Sequence, residues 1–227
     1  MRSKNRNILT VLVAVFAFGA VGVSSAAAAL PEFVHGEGEA FPVSFEGGLS
    51  GTEEARIETS QLGTELECGN VKITGSITGA KAATVTDAMR ECALFGEKPC
   101  ETAKAGAGKV TITGSASLDY TKKTGKEVAL VLSVGETKIT CAEETLTIKG
   151  SIILPVTPVN TKTTKYQMTI KGASGKQAVT QYENEKGEIK TASLTAQVGS
   201  GDPFWSADLT LGQPLTLTTA NALTISA

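Results

Sequence analysis

Apolar and polar positions alternate along most of the chain, and one short phrase recurs on that alternation. It reads VKITGS from Val71, VTITGS from Val110, LTIKGS from Leu146 and MTIKGA from Met168. A period of two with β-branched residues is the signature of a half-buried strand. The most ordered pattern surrounds the first copy. Leu66 and Cys68 share one parity, Gly69-Asn70 offers a two-residue turn, and Val71, Ile73 and Ile77 carry the apolar parity onward. This predicts a hairpin over 64–77, with Cys68 opposite Val71 and Leu66 opposite Ile73, all facing inward. The third copy predicts a matching hairpin over 137–152. There Ala142–Thr145 form a four-residue loop, and Cys141 stands opposite Leu146. The two hairpins read as one edge solution used twice or as an internal duplication.

The remaining segments extend the same reading. Phe41, Val43 and Phe45 alternate, as do Val110 to Tyr120, Tyr166 to Ile170 and Trp205 to Leu211. Arg56–Thr59, Ala83–Met89, Leu215–Leu217 and Leu223–Ile225 are further short strands. Ala178–Tyr182 pairs with Ile189–Leu194 across Gly187. Val128–Val134 is apolar at nearly every position, the pattern of a strand covered on both faces. Pro155 and Pro158 are expected to break the pairing after Ile153. No segment has a helical period. The expected fold is all-β: a Greek-key-like β-sandwich or flattened barrel of a dozen or more short antiparallel strands with negligible helix.

The N-terminus departs from this pattern. Arg2, Lys4 and Arg6 precede an unbroken apolar run from Ile8 to Val23, followed by Ser24, Ser25 and Ala26–Ala29. A basic start, an apolar core and a small-residue exit describe a secretory signal peptide over residues 1–29, cut within Ala26–Ala29. A single β domain over 30–227 follows. A boundary near Gly96–Gly108 would instead divide it in two, but Cys141 is expected to reach back across that point. Removing the signal takes away three basic residues and no acidic one, so the net charge moves from −2 to −5. No basic block remains, which argues against nucleic acid as a partner. No later apolar stretch is long enough for a transmembrane segment.

Four cysteines, Cys68, Cys92, Cys100 and Cys141, all follow the signal. An even number in an exported chain reads as two disulfides, and no close Cys-x-x-Cys pair suggests metal. The short spacing predicts Cys92 with Cys100. The equivalent hairpin positions predict Cys68 with Cys141.

Candidate chemistry is sparse. His35 is the single histidine and lies in a Gly- and Glu-rich stretch, a poor setting for a preorganised base. Ser174, in GASGK, is better read as a turn than as a nucleophile. The glycines of GASGKQ and AGAGKV lack phosphate-loop spacing. Glu143 and Glu144 are adjacent in a hairpin loop, where carboxylates are ordinarily solvated. Glu183, Asn184, Glu185 and Glu188 could offer oxygens to a calcium ion, but they also describe a polar turn. Trp205 follows a polar loop and is the one candidate for a binding rim. No catalytic, cofactor-binding or metal-ligating residue is assigned, and no cofactor is expected.

The segment TIKGSIILPVTPVNTKTTKYQMTI from Thr147 resembles one that recurs in uncharacterised secreted proteins of high-GC actinobacteria. The similarity extends to LPEF after the signal, the CALFGEKPC loop, a later Cys before the GS-I segment, QYEN, and the closing NALTISA. The resemblance implies a secreted all-β protein and brings no activity and no functional residues. The expected function is therefore a non-enzymatic structural or binding role at the cell envelope, with an envelope component or another protein as partner. The alternatives are an extracellular carrier of a small apolar ligand and, last, a hydrolase.

Overall fold

A computed structural model describes residues 31–37, 39–49, 55–60, 65–184 and 186–227. The expected signal segment, with its expected cleavage within Ala26–Ala29, lies outside the described residues. The fold is all-β, with no α-helix among the described residues and one 3-10 turn at Lys123–Gly125. Three strands open it, β1 (Glu32–Val34), β2 (Val43–Leu49) and β3 (Ala55–Thr59). Long strands follow: β4 (Glu65–Gly79), β5 (Ala82–Leu94), β7 (Lys109–Lys122), β8 (Glu127–Cys141) and β9 (Glu144–Thr157), with the short β6 (Lys98–Thr102) among them. The second half holds β10 (Thr163–Met168), β11 (Gly172–Ala173), β12 (Lys176–Gln177), β13 (Gln181–Glu183) and β14 (Ile189–Thr191). It ends with β15 (Leu194–Val198), β16 (Trp205–Leu211) and β17 (Leu215–Ser226).

All of these pair antiparallel. Fifteen belong to one sheet, and β11 with β12 forms a separate hairpin. The sheet closes on itself twice. One closed circuit runs β3–β4–β5–β6–β8–β9–β15–β16 and back to β3. The other runs β2–β4–β5–β7–β8–β9–β10–β17 and back to β2. Four long strands, β4, β5, β8 and β9, belong to both circuits. The molecule is thus two flattened β-barrels fused end to end through shared strands. Closure removes the exposed edges that open sheets must protect.

The shared strands change outer partner at a common waist. β4 pairs with β3 through Cys68 and with β2 from Val71. β5 leaves β6 at Ala93 and meets β7 from Arg90. β8 leaves β6 at Ile139 and meets β7 from Val134. At this waist β4 and β5 also exchange the face they turn inward. Leu66 and Cys68 are buried on one parity, and Val71, Ile73 and Ile77 on the other. In β5 the switch falls between Met89 and Cys92, at Glu91, whose φ is +57°. Because both strands switch together, their mutual register does not slip. In β8 the switch between Val134 and Ile139 is taken up by a bulge against β9.

This corrects the first predicted hairpin. Gly69-Asn70 is not a turn but the face switch inside one continuous strand. Leu66, Cys68, Val71 and Ile73 do all point inward, for a different reason. The repeat with 137–152 is therefore not one of equivalent hairpins. The second hairpin is real, but its loop has two residues, Ala142 and Glu143. Cys141 pairs with Glu144, and Ile139 with Leu146. That register lies two residues from the predicted one, which leaves the buried face unchanged.

Pro155 does not break the pairing. It stands opposite Ala129 within β9, and its carbonyl, turned toward the β10 side, accepts from Thr169 N at 3.2 Å. A strand residue turns its nitrogen and carbonyl to the same side, so the missing N–H costs nothing to the β8 ladder. Of the run Val128–Val134 expected to be covered on both faces, Val128–Leu132 is, while Ser133 is exposed. Val128, Leu130 and Leu132 join the barrel core, while Ala129 and Val131 join Ile153 and Ala192 in an outer cluster under Val179 and Tyr182. The hairpin across Gly187 forms between Gln181–Glu183 and Ile189–Thr191, while Leu194, expected in it, starts β15 and pairs with β9 and β16.

The glycine of the recurring phrase also finds its reason. At Gly75 the ring of Phe45 and the carbonyl of Thr84 occupy the space a Cβ would need. Phe45 lies directly across the ladder from it, so the aromatic ring covers the glycine. Gly150 has φ +121°, a conformation open to glycine, with Ser193 against its backbone. Gly75→Ala should destabilise by about 2 kcal/mol through overpacking. Chemical denaturation checks this, and an unchanged midpoint would show that Phe45 can move aside freely.

Candidate functional site

The barrel interior is filled by one continuous apolar core. At the waist it leaves a cavity of about 30 Å³, enough to admit water. Its walls come from both circuits. Ile57, Ile148, Leu194 and Leu209 close one side, and Val85, Ile112, Leu132, Val134 and Ile152 the other. A single charged side chain enters it, Asp87 of β5. Asp87 continues the inward parity of Ala83 and Val85, and pairs with Ile73 on one side and Ile112 on the other. Its Oδ1 is buried with no hydrogen-bond partner. The residue as a whole is half-buried. Burial pushes its carboxyl up from the ordinary 3.8 to about 7, because the apolar walls disfavour the charged form.

Asp87 escaped the sequence reading. The signal was present: a lone carboxylate at an inward position of an otherwise apolar alternation. An unpaired charge in a core is costly, so such a residue marks either a neutral acid or a bound partner.

A groove of about 670 Å³ opens on the outer face. Its floor is the lateral row Lys138–Thr147–Gln197 across β8, β9 and β15. The tip of the β8–β9 hairpin, with Glu143 and Glu144, forms one wall. The Gly199–Phe204 loop forms the other, tied back by a hydrogen bond that Gln197 Nε2 donates to the carbonyl of Asp202. Glu144 is also paired with Lys98 at 3.1 Å. At the far end Lys149 Nζ lies 3.7 Å above the ring of Phe204.

The other sequence candidates are scattered. His35 packs edge-on against Phe41, with ring centroids 4.0 Å apart, and both its ring nitrogens lack hydrogen-bond partners. Ser174 lies in the β11–β12 turn, where its N–H donates to Glu58. The same turn donates Gly175 and Lys176 N–H groups to the buried Asp208. Burial holds that carboxyl above its ordinary value, these donors offset only part of the rise, and the group orders the turn. In the proposed calcium loop, Asn184 Oδ1 accepts from the N–H groups of Lys186 and Glu188. Glu183 pairs with Lys123 at 2.7 Å and Glu188 with Lys190 at 2.8 Å. Glu185 lies outside the described residues. Trp205 is half-buried at the first position of β16, opposite Ala196.

All four cysteines are in disulfides, but not in the expected pairs. The bonds are Cys68–Cys92 and Cys100–Cys141. Each joins residues directly opposite on neighbouring strands, β4 with β5 and β6 with β8, with Cα atoms 4.0 and 4.1 Å apart. The β5–β6 ladder ends at Ala93 with Pro99, and Cys92 donates its N–H to the carbonyl of Gly108 at 3.1 Å. Strands β5 and β6 stand between Cys68 on β4 and Cys141 on β8, which keeps the predicted pair apart. Once β4 proves continuous, its long hairpin with β5 sets the pairing. Disulfides indicate an oxidising environment, and among the described residues no helix is long and apolar enough to cross a membrane.

No family model, curated protein or solved structure matches this chain.

Proposed function

We propose that the protein is an exported, non-catalytic scaffold that acts through its outer surface at the cell envelope. The observation that carries this reading is the filled interior. Both barrel circuits close on a continuous core, and the cavity at the waist, at about 30 Å³, is too small for a carried apolar molecule or a substrate. That weighs against the carrier alternative. The scattered positions of His35 and Ser174 weigh against a hydrolase. Two disulfides in the circuit that bears the outer groove suit a rigid surface working outside the cell.

Two measurements test the reading. Intact mass of protein recovered from culture medium should correspond to a chain beginning within residues 27–30. The purified mature chain should co-sediment with isolated envelopes of the producing cells and stay in solution without them. Retention of the full-length chain in the cytosol would overturn the export reading. Failure to sediment with envelopes would overturn the binding reading.

A further inference from the structure

We infer that Asp87 is a proton-operated latch on the waist: protonated, it leaves the two barrel circuits packed together, and ionised, it draws water into the cavity and loosens the waist. The inference goes beyond the scaffold reading and does not depend on it. The side chains that face Asp87 are all uncharged. Val85 and Met89 flank it on the inward parity of β5, Ile73 stands opposite on β4 and Ile112 on β7. The residues that line the cavity from β3, β8, β9, β15 and β16 are all aliphatic. Glu136 on β8 lines the outer groove and not the cavity. Asp87 Oδ1 is buried with no hydrogen-bond partner, so no side chain of these walls receives the charge when it forms.

An ionised carboxylate has about four lone-pair sites to fill, and aliphatic walls fill none. The side chain cannot swing outward for relief. Asp87 is held in two ladders at once, between Ile73 and Ile112, and the long registers of β5 with β4 and β7 fix its inward parity. Relief has to come inward, as water, and the cavity is large enough to admit it. A neutral carboxyl alone offers fewer hydrogen bonds than the about three a buried water ordinarily makes, so the closed cavity is dry. A second, independent observation gives the route. The register of β8 with β9 breaks between Val134 and Thr137, and on its other edge β8 passes from β7 at Val134 to β6 at Ile139. Gly135 and Glu136 therefore fall outside the registers on both edges, and both are exposed. Val134, one residue before this seam, is a wall of the cavity. The Asp87 carboxyl, held at about 7 by burial, sets the latch near neutrality, closed below and open above.

The test is NMR of the mature protein with isotope-labelled methyl and carboxyl groups, titrated from pH 5.5 to pH 8.5. Magnetisation transfer from water to the methyls of Val85, Ile112 and Leu132 should grow several-fold, with the same midpoint as the Asp87 carboxyl carbon. The amide signals of Val134 and Thr137 should titrate with it, while those of Cys68 and Cys141 stay in place. The D87N variant should keep, at every pH, the low transfer that the natural protein shows at pH 5.5. Equal transfer at pH 5.5 and pH 8.5 in the natural protein overturns the latch, since the proton then does not govern the water. A rise that D87N shares overturns it too, because another group is responsible. A carboxyl carbon already ionised at pH 5.5, or still neutral at pH 8.5, leaves nothing to switch and is equally fatal. Water that enters while Val134 and Thr137 stay fixed removes the seam and the loosening with it. The comparison of carboxyl carbon with methyls is made within the natural protein, so it decides the matter even if D87N does not fold.

Discussion

Asp87→Asn should be considerably more stable than the natural protein at pH 8.5 and nearly equal to it at pH 4. The natural carboxyl is held at about 7 in the folded state, against 3.8 ordinarily. Below pH 4 both folded and unfolded chains keep the proton, so the group contributes no pH dependence. Between pH 4 and pH 7 the folded chain holds a proton that the unfolded chain has released. The folded state binds more protons, so stability falls as pH rises through this window. Above pH 7 the loss is complete, about 4 kcal/mol. An amide of the same shape carries no charge to desolvate, so the variant escapes this loss. The observable is the difference in unfolding free energy between variant and natural protein, measured at several pH values. Taking the difference cancels the other titrating groups. A difference that stays flat from pH 4 to 8.5 would show that Asp87 is solvated or paired.

The location makes the effect specific. No other titratable side chain lines the cavity, so no neighbouring charge can offset the carboxylate when it ionises. Its walls belong to both barrel circuits, and a charge there bears on the contact between them. Hydrogen exchange at pH 8.5 should therefore rise first at the waist, around Ile73, Asp87 and Ile112, and the substitution should suppress that rise.

Much of this architecture was legible in the alternation of the chain, because alternation reports burial and burial is what the strands share. Val110–Tyr120 and Trp205–Leu211 read as they fold. The errors lie where a local rule competed with long-range pairing. Gly69-Asn70 has the chemistry of a tight turn, yet β2, β3 and β5 together hold β4 straight through it. Parity changes at a turn and at a paired face switch alike, so a one-dimensional pattern cannot separate the two. Pro155 misled for a similar reason, since which neighbour a strand's nitrogens face is fixed only by the assembled sheet. Asp87 was visible as an anomaly, but the cavity is made by seven strands far apart in sequence. The groove was split among 136–147 and 197–204, so Glu143 and Glu144 read only as loop residues.

The same cause governs the disulfides, and it sets the second large expectation. Replacing Cys100 and Cys141 together by Ala should cost about 4 kcal/mol, and replacing Cys68 and Cys92 about 3.5, since the bonds span 41 and 24 residues. All four residues are at most 1 % exposed, so each replacement also leaves a small void in the core. Guanidinium unfolding of the two double variants reads the ranking directly. Non-reducing peptide mapping of the natural protein should find Cys68 joined to Cys92 and Cys100 joined to Cys141. If it maps as Cys92–Cys100 instead, the continuous β4 strand fails, because only that strand carries Cys68 to the side of Cys92.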